Sequence, residues 1–381
     1  DGSFDEWYKH EHGFAATEIT CIAYGSAALL GGGDWPRETW AKFERVARKA
    51  SNFLLTHDDL IKANHEMAAA AALAIVGTVL KEKAFLDGAR EKYDRVLTLR
   101  SKEGWFSEIA GMDMGYCSVL LDYAMLYHHL TDDARVPAHM SELFQFMTPF
   151  IHPDMTILPE LGLCLNPYVS RLGTVLLSQH SPNAAWVTSQ FASSETGFAG
   201  VEPYLSDDLR LCRWSYLPVL TYVLGRRNGL LNRDGQLAFI PKNAPPSFGI
   251  TVAPLANIVS FRSKHMHAVF SPVGGGQVKA FVATEGGKWN SYQDLGYNQV
   301  LGNGVKVCTS GYDGNRQVKR LAPNIFELEV PMSPANFFFP GFLARLVLRV
   351  IGAIPGMAIW LRRGIDWYRQ KFKTAVNQSS A

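Results

Sequence analysis

The chain has 381 residues, 47% of them hydrophobic and 19% charged, with a formal net charge of +2. That balance excludes a disordered chain and fits one large or two ordinary domains. A charge so near neutral provides no global field for nucleic acid, which is not an expected partner. The five cysteines, Cys21, Cys117, Cys164, Cys212 and Cys308, form no CxxC pair. Neither a zinc site nor a disulfide framework is therefore indicated, and buried free thiols in a reducing compartment are expected.

In chain order, the sequence opens inside a motif, Asp1-Gly2-Ser3-Phe4-Asp5-Glu6-Trp7-Tyr8. With Asp rather than Met first, a fragment or a processed chain is expected. About a hundred residues on, Glu103-Gly104-Trp105-Phe106-Ser107-Glu108 repeats the pattern of acid, Gly, aromatic and Glu. Between the two lies a third polar knot, Lys62-Ala63-Asn64-His65-Glu66, and each knot runs into an apolar segment. Recurrence of this kind signals similar supersecondary units, here helical hairpins of roughly fifty residues.

Helical periodicity runs from Phe14 to about Arg227. Phe14–Leu30 is apolar and is broken by Gly31-Gly32-Gly33. Pro36–Leu55 is amphipathic, His65–Leu80 is apolar all round, and Ala84–Leu99 is amphipathic with Arg90, Lys92, Asp94 and Arg95 on its wet side. Tyr116–Leu130 is apolar and Val136–Ile151 amphipathic. His128-His129 are expected to be solvated. Alternation of buried with half-buried helices predicts an inner and an outer row joined by short connections. The three knots then fall at one end of the bundle and gather Tyr8, His12, Asn64, His65, Glu108 and Tyr116 at one mouth. The alternative is simple helix capping, for which Asp5, Asn64 and Asp113 are ordinary residue types.

Pro153–Arg171 reads as irregular and Asp207–Leu224 as a last helix. Beyond about Leu230, Gly, Pro and Asn become frequent and short alternating runs appear at Ile258–Arg262, His267–Ser271, Val278–Thr284 and Val305–Thr309. This pattern predicts an antiparallel β domain. The expected division is 1–230 helical, 231–334 β, and a tail at 335–381. The tail is apolar from Phe337 to Leu361 but interrupted by Arg345 and Arg349, then basic. It fits an amphipathic segment on an anionic membrane face, a peripheral contact rather than a span, or equally a helix packed on its own domain.

The motifs Phe4-Asp5-Glu6-Trp7-Tyr8, Glu11-His12, Asn64-His65, Glu103-Gly104-Trp105-Phe106, Gly111-Met112-Asp113-Met114-Gly115-Tyr116, His152-Pro153-Asp154 and Asp294-Leu295-Gly296-Tyr297 resemble the heparinase II/III-like family. The similarity is nearest to a bacterial branch associated with surface polysaccharide synthesis. It implies an (α/α) helical toroid, incomplete at its N-terminus, followed by an antiparallel β-sandwich. It also implies a polysaccharide partner, no cofactor, and a place in the bacterial cytoplasm, at the inner-membrane face or in the periplasm. At Glu160-Leu161-Gly162-Leu163-Cys164-Leu165-Asn166 the chain departs from the branch, whose polar run with an arginine is replaced by mostly apolar residues.

The resemblance implies β-elimination from a uronate polymer. The carboxylate must be neutralised, the C5 proton removed and the leaving oxygen protonated. Amide and imidazole donors suit the first task, which assigns it to Asn64 and His65. Tyr116, with His12 or Tyr8 across the cleft, would transfer protons. Glu6, Trp7, Tyr8, Trp105, Glu108 and Asp113 would line the sugar site, the aromatics by stacking on sugar C–H faces. Each has a plainer reading: His65 as a cap, Tyr116 and the loop aromatics as packing, Glu6 and Glu108 as ties to their own loops. His10 and His12 on one side of a strand would offer only two metal ligands, so no metal is expected. Lys9, Arg171 and Arg213 are candidates to hold anionic sugars, although solvated charge is the default. Three other functions stay open: a uronyl epimerase, a glycoside hydrolase using two of Glu6, Glu11, Glu108 and Asp113, and a non-catalytic glycan-binding scaffold.

Overall fold

A computed structural model describes residues 1–5, 10–59, 61–108, 111–157, 169–193, 216–235, 237–238, 248–272, 275–294, 298–302, 306–309, 319–322, 325–329 and 333–334, with isolated positions from 346 to 360. A helix-rich N-terminal half is followed by antiparallel strands. The helices are α1 (Phe14–Gly31), α2 (Arg37–Thr56), α3 (Ala63–Leu80), α4 (Lys83–Thr98), α5 (Met114–Thr131), α6 (Arg135–Met147), α7 (Arg171–Leu177), α8 (Pro182–Ser193) and α9 (Tyr216–Arg227). A short hairpin, β1 (Ser107–Glu108) and β2 (Gly111–Met112), precedes α5.

The alternation in the sequence corresponds to two rows. From Ala63 to Gly77 nearly every residue of α3 is buried, and α3 packs against α1, α4 and α5. By length and composition alone, Phe14–Asp34 and α3 could each cross a membrane; here α3 is an interior helix. In α2, α4 and α6 one stripe is buried, as their spacing predicts. Next along the inner row, α5 packs on α7, which packs on α9, and α9 also touches α1. The approach of α7 to α5 is close: a Cβ on Gly173 would lie 2.6 Å from the Leu121 carbonyl carbon. At the same point the Gly173 N–H donates to Asp122 Oδ1 at 2.6 Å. That buried carboxylate therefore caps α7 from a neighbouring helix, and burial pushes it up to about 7.

Strands β3 (Gly249–Ala253), β4 (Ile258–Arg262), β5 (Met266–Ser271), β6 (Gln277–Ala283) and β7 (Trp289–Asp294) form an antiparallel meander. Smaller pairings involve β8 (Asn298–Val300), β9 (Lys306–Cys308), β10 (Lys319–Ala322), β11 (Ile325–Glu327) and β12 (Ser333–Pro334). Ala253, Ala256, Ile258 and Val269 join the helical side chains in one buried cluster, so helices and sheet share a packed seam. Glu103 stitches it, accepting the N–H groups of Leu255 and Ala256 at 2.9 Å each.

Several expectations are corrected. Arg171, read by default as a solvated charge, is buried over the Phe191 ring at 4.6 Å. Lys92, assigned to the wet face of α4, is fully buried. It lies seven residues after Phe85, on the same stripe as Ala89 and Val96. His128 and His129 are half-buried rather than solvated, and His128 packs edge-on against His180. Residues 171–177 and 182–193, given no element in the sequence analysis, are helical, and the expected last helix is described over Tyr216–Arg227. Segments 158–168 and 201–215 lie outside the described residues, as do most of the tail and residues 6–9.

Candidate active site at the head of the third helix

The two repeated loops share a backbone device. Gly2 and Gly104 adopt φ of 110° and 95°, a region that L side chains resist. Phe4 and Phe106 then make isolated bridges to Gly13 and Arg100. From there the loops diverge. Asp5 accepts the N–H groups of His10, Glu11 and His12 at 2.8, 2.9 and 3.2 Å. Burial opposes its charge, but these three donors hold the Asp5 carboxyl below its usual range. His10 and His12 have φ of 62° and 55° and lie in a tight loop, not on one side of a strand as the sequence reading had it. His12 Nδ1 is 2.7 Å from Asp1 Oδ2 and from Ser3 Oγ.

The second loop reaches the head of α3. Glu108 Oε1 accepts the Asn64 backbone N–H at 2.9 Å and Oε2 accepts its side-chain amide at 2.7 Å. Burial pushes the Glu108 carboxyl up to about 8 against those two donors. Glu108 thus ties the β1–β2 hairpin to a neighbouring helix and not to its own loop. Asn64 is buried, with its amide N–H committed to this tie. Asp113 caps α5 by accepting the Tyr116 N–H at 2.9 Å. Tyr116 is half-buried on the first turn of that helix. Trp105 is buried with its indole N–H on Glu103 at 2.9 Å, and Phe106 is fully buried; both are packed rather than offered as stacking faces. Glu6, Trp7 and Tyr8 lie outside the described residues.

His65, next to Asn64, is the partly open group in this cluster. Its side chain is 15% exposed, and Nδ1 is 2.5 Å from Oε1 of Glu18, which is 1% exposed. Burial, reinforced by the carboxylates of Asp59 and Glu66 against the cations Lys62 and Lys92, raises the Glu18 carboxyl well above its usual range. One proton shared across so short a contact decides the chemistry of the ring. With the proton on Nδ1, Nε2 carries a lone pair and can accept a proton; with the proton on Glu18, Nε2–H is a donor. A buried carboxylate behind an imidazole is also the arrangement that fixes its orientation.

Below this pair lies an ionic network. Lys92 Nζ is 2.7 Å from Asp58 Oδ1 and 3.2 Å from Glu66 Oε2, donates to the His57 carbonyl, and sits 5.1 Å from the Phe14 ring centroid. Glu66 also accepts the Asp59 N–H. Four elements, α1, α3, α4 and the 57–59 loop, are therefore locked where His65 emerges. Of this set, Glu18, Lys92 and Asp58 went unrecognised in the sequence. Glu18 did leave a trace, as the lone acid within an apolar helix.

Among the described residues, no group of three or more His, Cys, Asp or Glu is placed to hold a metal ion. Cys21 and Cys117 are buried and free.

No family model matches the chain, and no curated protein matches it. Three solved chains match. One of them, titled a polysaccharide lyase, is 11% identical with a TM-score of 0.33, and the match covers 61% of this chain and just under two thirds, 66%, of that one.

Proposed function

We propose that the chain is a heparinase II/III-like polysaccharide lyase, with a toroid and β-sandwich architecture, that cleaves a uronate-containing glycan by β-elimination. The observation that carries this reading is the Glu18–His65 pair, a buried carboxylate 2.5 Å behind a partly exposed imidazole at the head of an interior helix. In the reaction a base takes the C5 proton, the C4–O bond breaks with its electron pair on the glycosidic oxygen, that oxygen takes a proton, and a C4–C5 double bond forms. His65, held by Glu18, stabilises the charge that develops at the uronate carboxylate and carries protons. Tyr116 transfers the proton at C5 and at the leaving oxygen, with His12, on the loop that leads into α1, as a second proton carrier. Asn64 and Glu108 join the head of α3 to the hairpin leading into α5, and so support the positioning of these groups. Asp113 does the same by capping α5. Glu6, Trp7, Tyr8 and Trp105 belong to the loops that would border the glycan.

One observation favours a second reading, a non-catalytic glycan-binding scaffold. One N–H of the Asn64 side-chain amide, which a lyase would direct at the substrate carboxylate, is donated to Glu108 instead. The two readings separate on incubation with a panel of uronate polymers, followed by the ultraviolet absorbance of the unsaturated product. The lyase reading expects absorbance to rise with wild type and not with the His65→Ala, Tyr116→Phe double variant. Glycan binding by both proteins without product from either would leave the scaffold.

A further inference from the structure

A second buried polar cluster lies in the seam between helices and sheet, outside the site described above. His152 lies just after α6, in the turn that follows Thr148–Phe150, and is 0% exposed; His267 on β5 is 1% exposed. Their rings meet edge to face with centroids 5.2 Å apart, and the His152 ring lies 4.9 Å from that of Phe281. Among the described residues, none of the four ring nitrogens has a hydrogen-bond partner. Strand register brings two cations to the same place. Arg262 on β4 pairs with His267, which pairs with Phe281 on β6, and Lys279 stands two residues along β6 on the same face. Arg262 is two-sided: one N–H donates to the Ile151 carbonyl at 2.5 Å, while Nε has no partner among the described residues. Lys279 Nζ donates to Thr156 Oγ1 at 3.2 Å.

Unmade hydrogen bonds at fully buried imidazoles cost stability unless something fills them. Burial, His267, Lys279 and Arg262 all push His152 well below its usual range, and burial and Arg262 push His267 to about 3. Among the described residues no carboxylate appears among the charges that act on either ring. The surplus is positive, so a metal cation is the wrong guest. Water could accept and donate hydrogen bonds there, whereas an anion would also meet the two half-buried cations.

We propose that His152, His267, Arg262 and Lys279 form a binding site for a small free oxyanion of the phosphate or sulfate type, which fastens the sheet to the helical half. This site does not rest on the lyase reading. Thermal unfolding of the full chain, freed of oxyanions by dialysis, tests it with added inorganic phosphate or sulfate against chloride of equal ionic strength. The expected result is a saturable rise in melting temperature, about 2 °C or more, that is lost in His267→Phe and in Lys279→Met. Because His267→Phe alters the packed seam, phosphorus NMR of inorganic phosphate with wild type and Lys279→Met gives a second reading, with line broadening expected in wild type only. Equal shifts with chloride, no broadening in wild type, or a structure grown in phosphate with only water between the cations and the imidazole N–H groups would overturn the proposal.

Discussion

The molecule buries two polar clusters, and they differ in one respect. At the head of α3, acids and bases are matched: Lys92 lies between Asp58 and Glu66, Glu18 backs His65, and Glu108 holds Asn64. In the seam, His152, His267, Arg262 and Lys279 are all basic or neutral, and the imidazole nitrogens are unmet. Both places bury polar groups, and the difference lies in the charges that face them. The first cluster finds its counter-charges within the chain, although Glu18 Oε2 and Glu66 Oε2 accept no hydrogen bond among the described residues, and it can orient a reactive imidazole; the second has no counter-charge and calls for a guest. Charge balance, rather than the mere presence of histidines, separates a positioning network from a binding site.

Breaking the matched cluster should have the largest effect. Lys92→Met leaves Glu66 buried without its cation and should cost about 3–5 kcal/mol in urea unfolding. Adding Glu66→Gln should restore most of that loss, because the orphaned charge is then gone. A cost below about 1 kcal/mol for Lys92→Met would show that the network does not hold the helices together. The seam should appear next, as an acid limb. Both histidines have folded pKa values lowered from the ordinary 6.5, so the unfolded chain binds more protons below that pH. Stability is then full above about pH 6.5 and declines as pH falls toward the folded values, by at most about 1.4 kcal/mol per pH unit for each ring. His267→Phe should flatten this limb, and saturating phosphate should do so in wild type.

Glu18→Gln should keep the fold, by circular dichroism, yet slow turnover about tenfold or more, since the imidazole loses the carboxylate that shares its proton. Glu108→Gln is a subtler probe. Its folded pKa of about 8 is raised from 4.5, so its contribution to stability is present below about pH 4.5 and is lost as pH rises through 8. The glutamine should remove that slope with a cost under about 1.5 kcal/mol, because a turned Asn64 amide can still pair with it. Smallest of all, Arg48→Ala breaks half-exposed pairs with Glu44 and Glu82 and should cost about 0.5 kcal/mol.

The helices were legible because burial imposes a period. Phe43, Ala47, Ala50 and Leu54 mark the inner face of α2, and the Ala-rich run of α3 admits no wet side. Strand β4 falls at the expected Ile258–Arg262, whereas β7 has every side chain exposed and left no alternation to read. Within the site, Asn64, Glu108 and Asp113 stood out because polar knots before apolar runs are visible in one dimension. Glu18 and His65 are 47 positions apart, and nothing local announces that α1 and α3 bring them within 2.5 Å. Lys92 was misplaced because residue type was weighed above its position on the stripe. His152 and His267 meet only through the docking of sheet on helices, a long-range event with no sequence period.

The most direct test of the central claim is the pH dependence of unsaturated-product formation from a uronate polymer by wild type, Glu18→Gln and His65→Ala. The account predicts product from wild type, a reduced rate with an altered pH profile for Glu18→Gln, and none from His65→Ala. Equal rates and profiles in all three proteins would contradict it, as would wild-type protein that binds the polymer and yields no unsaturated ends.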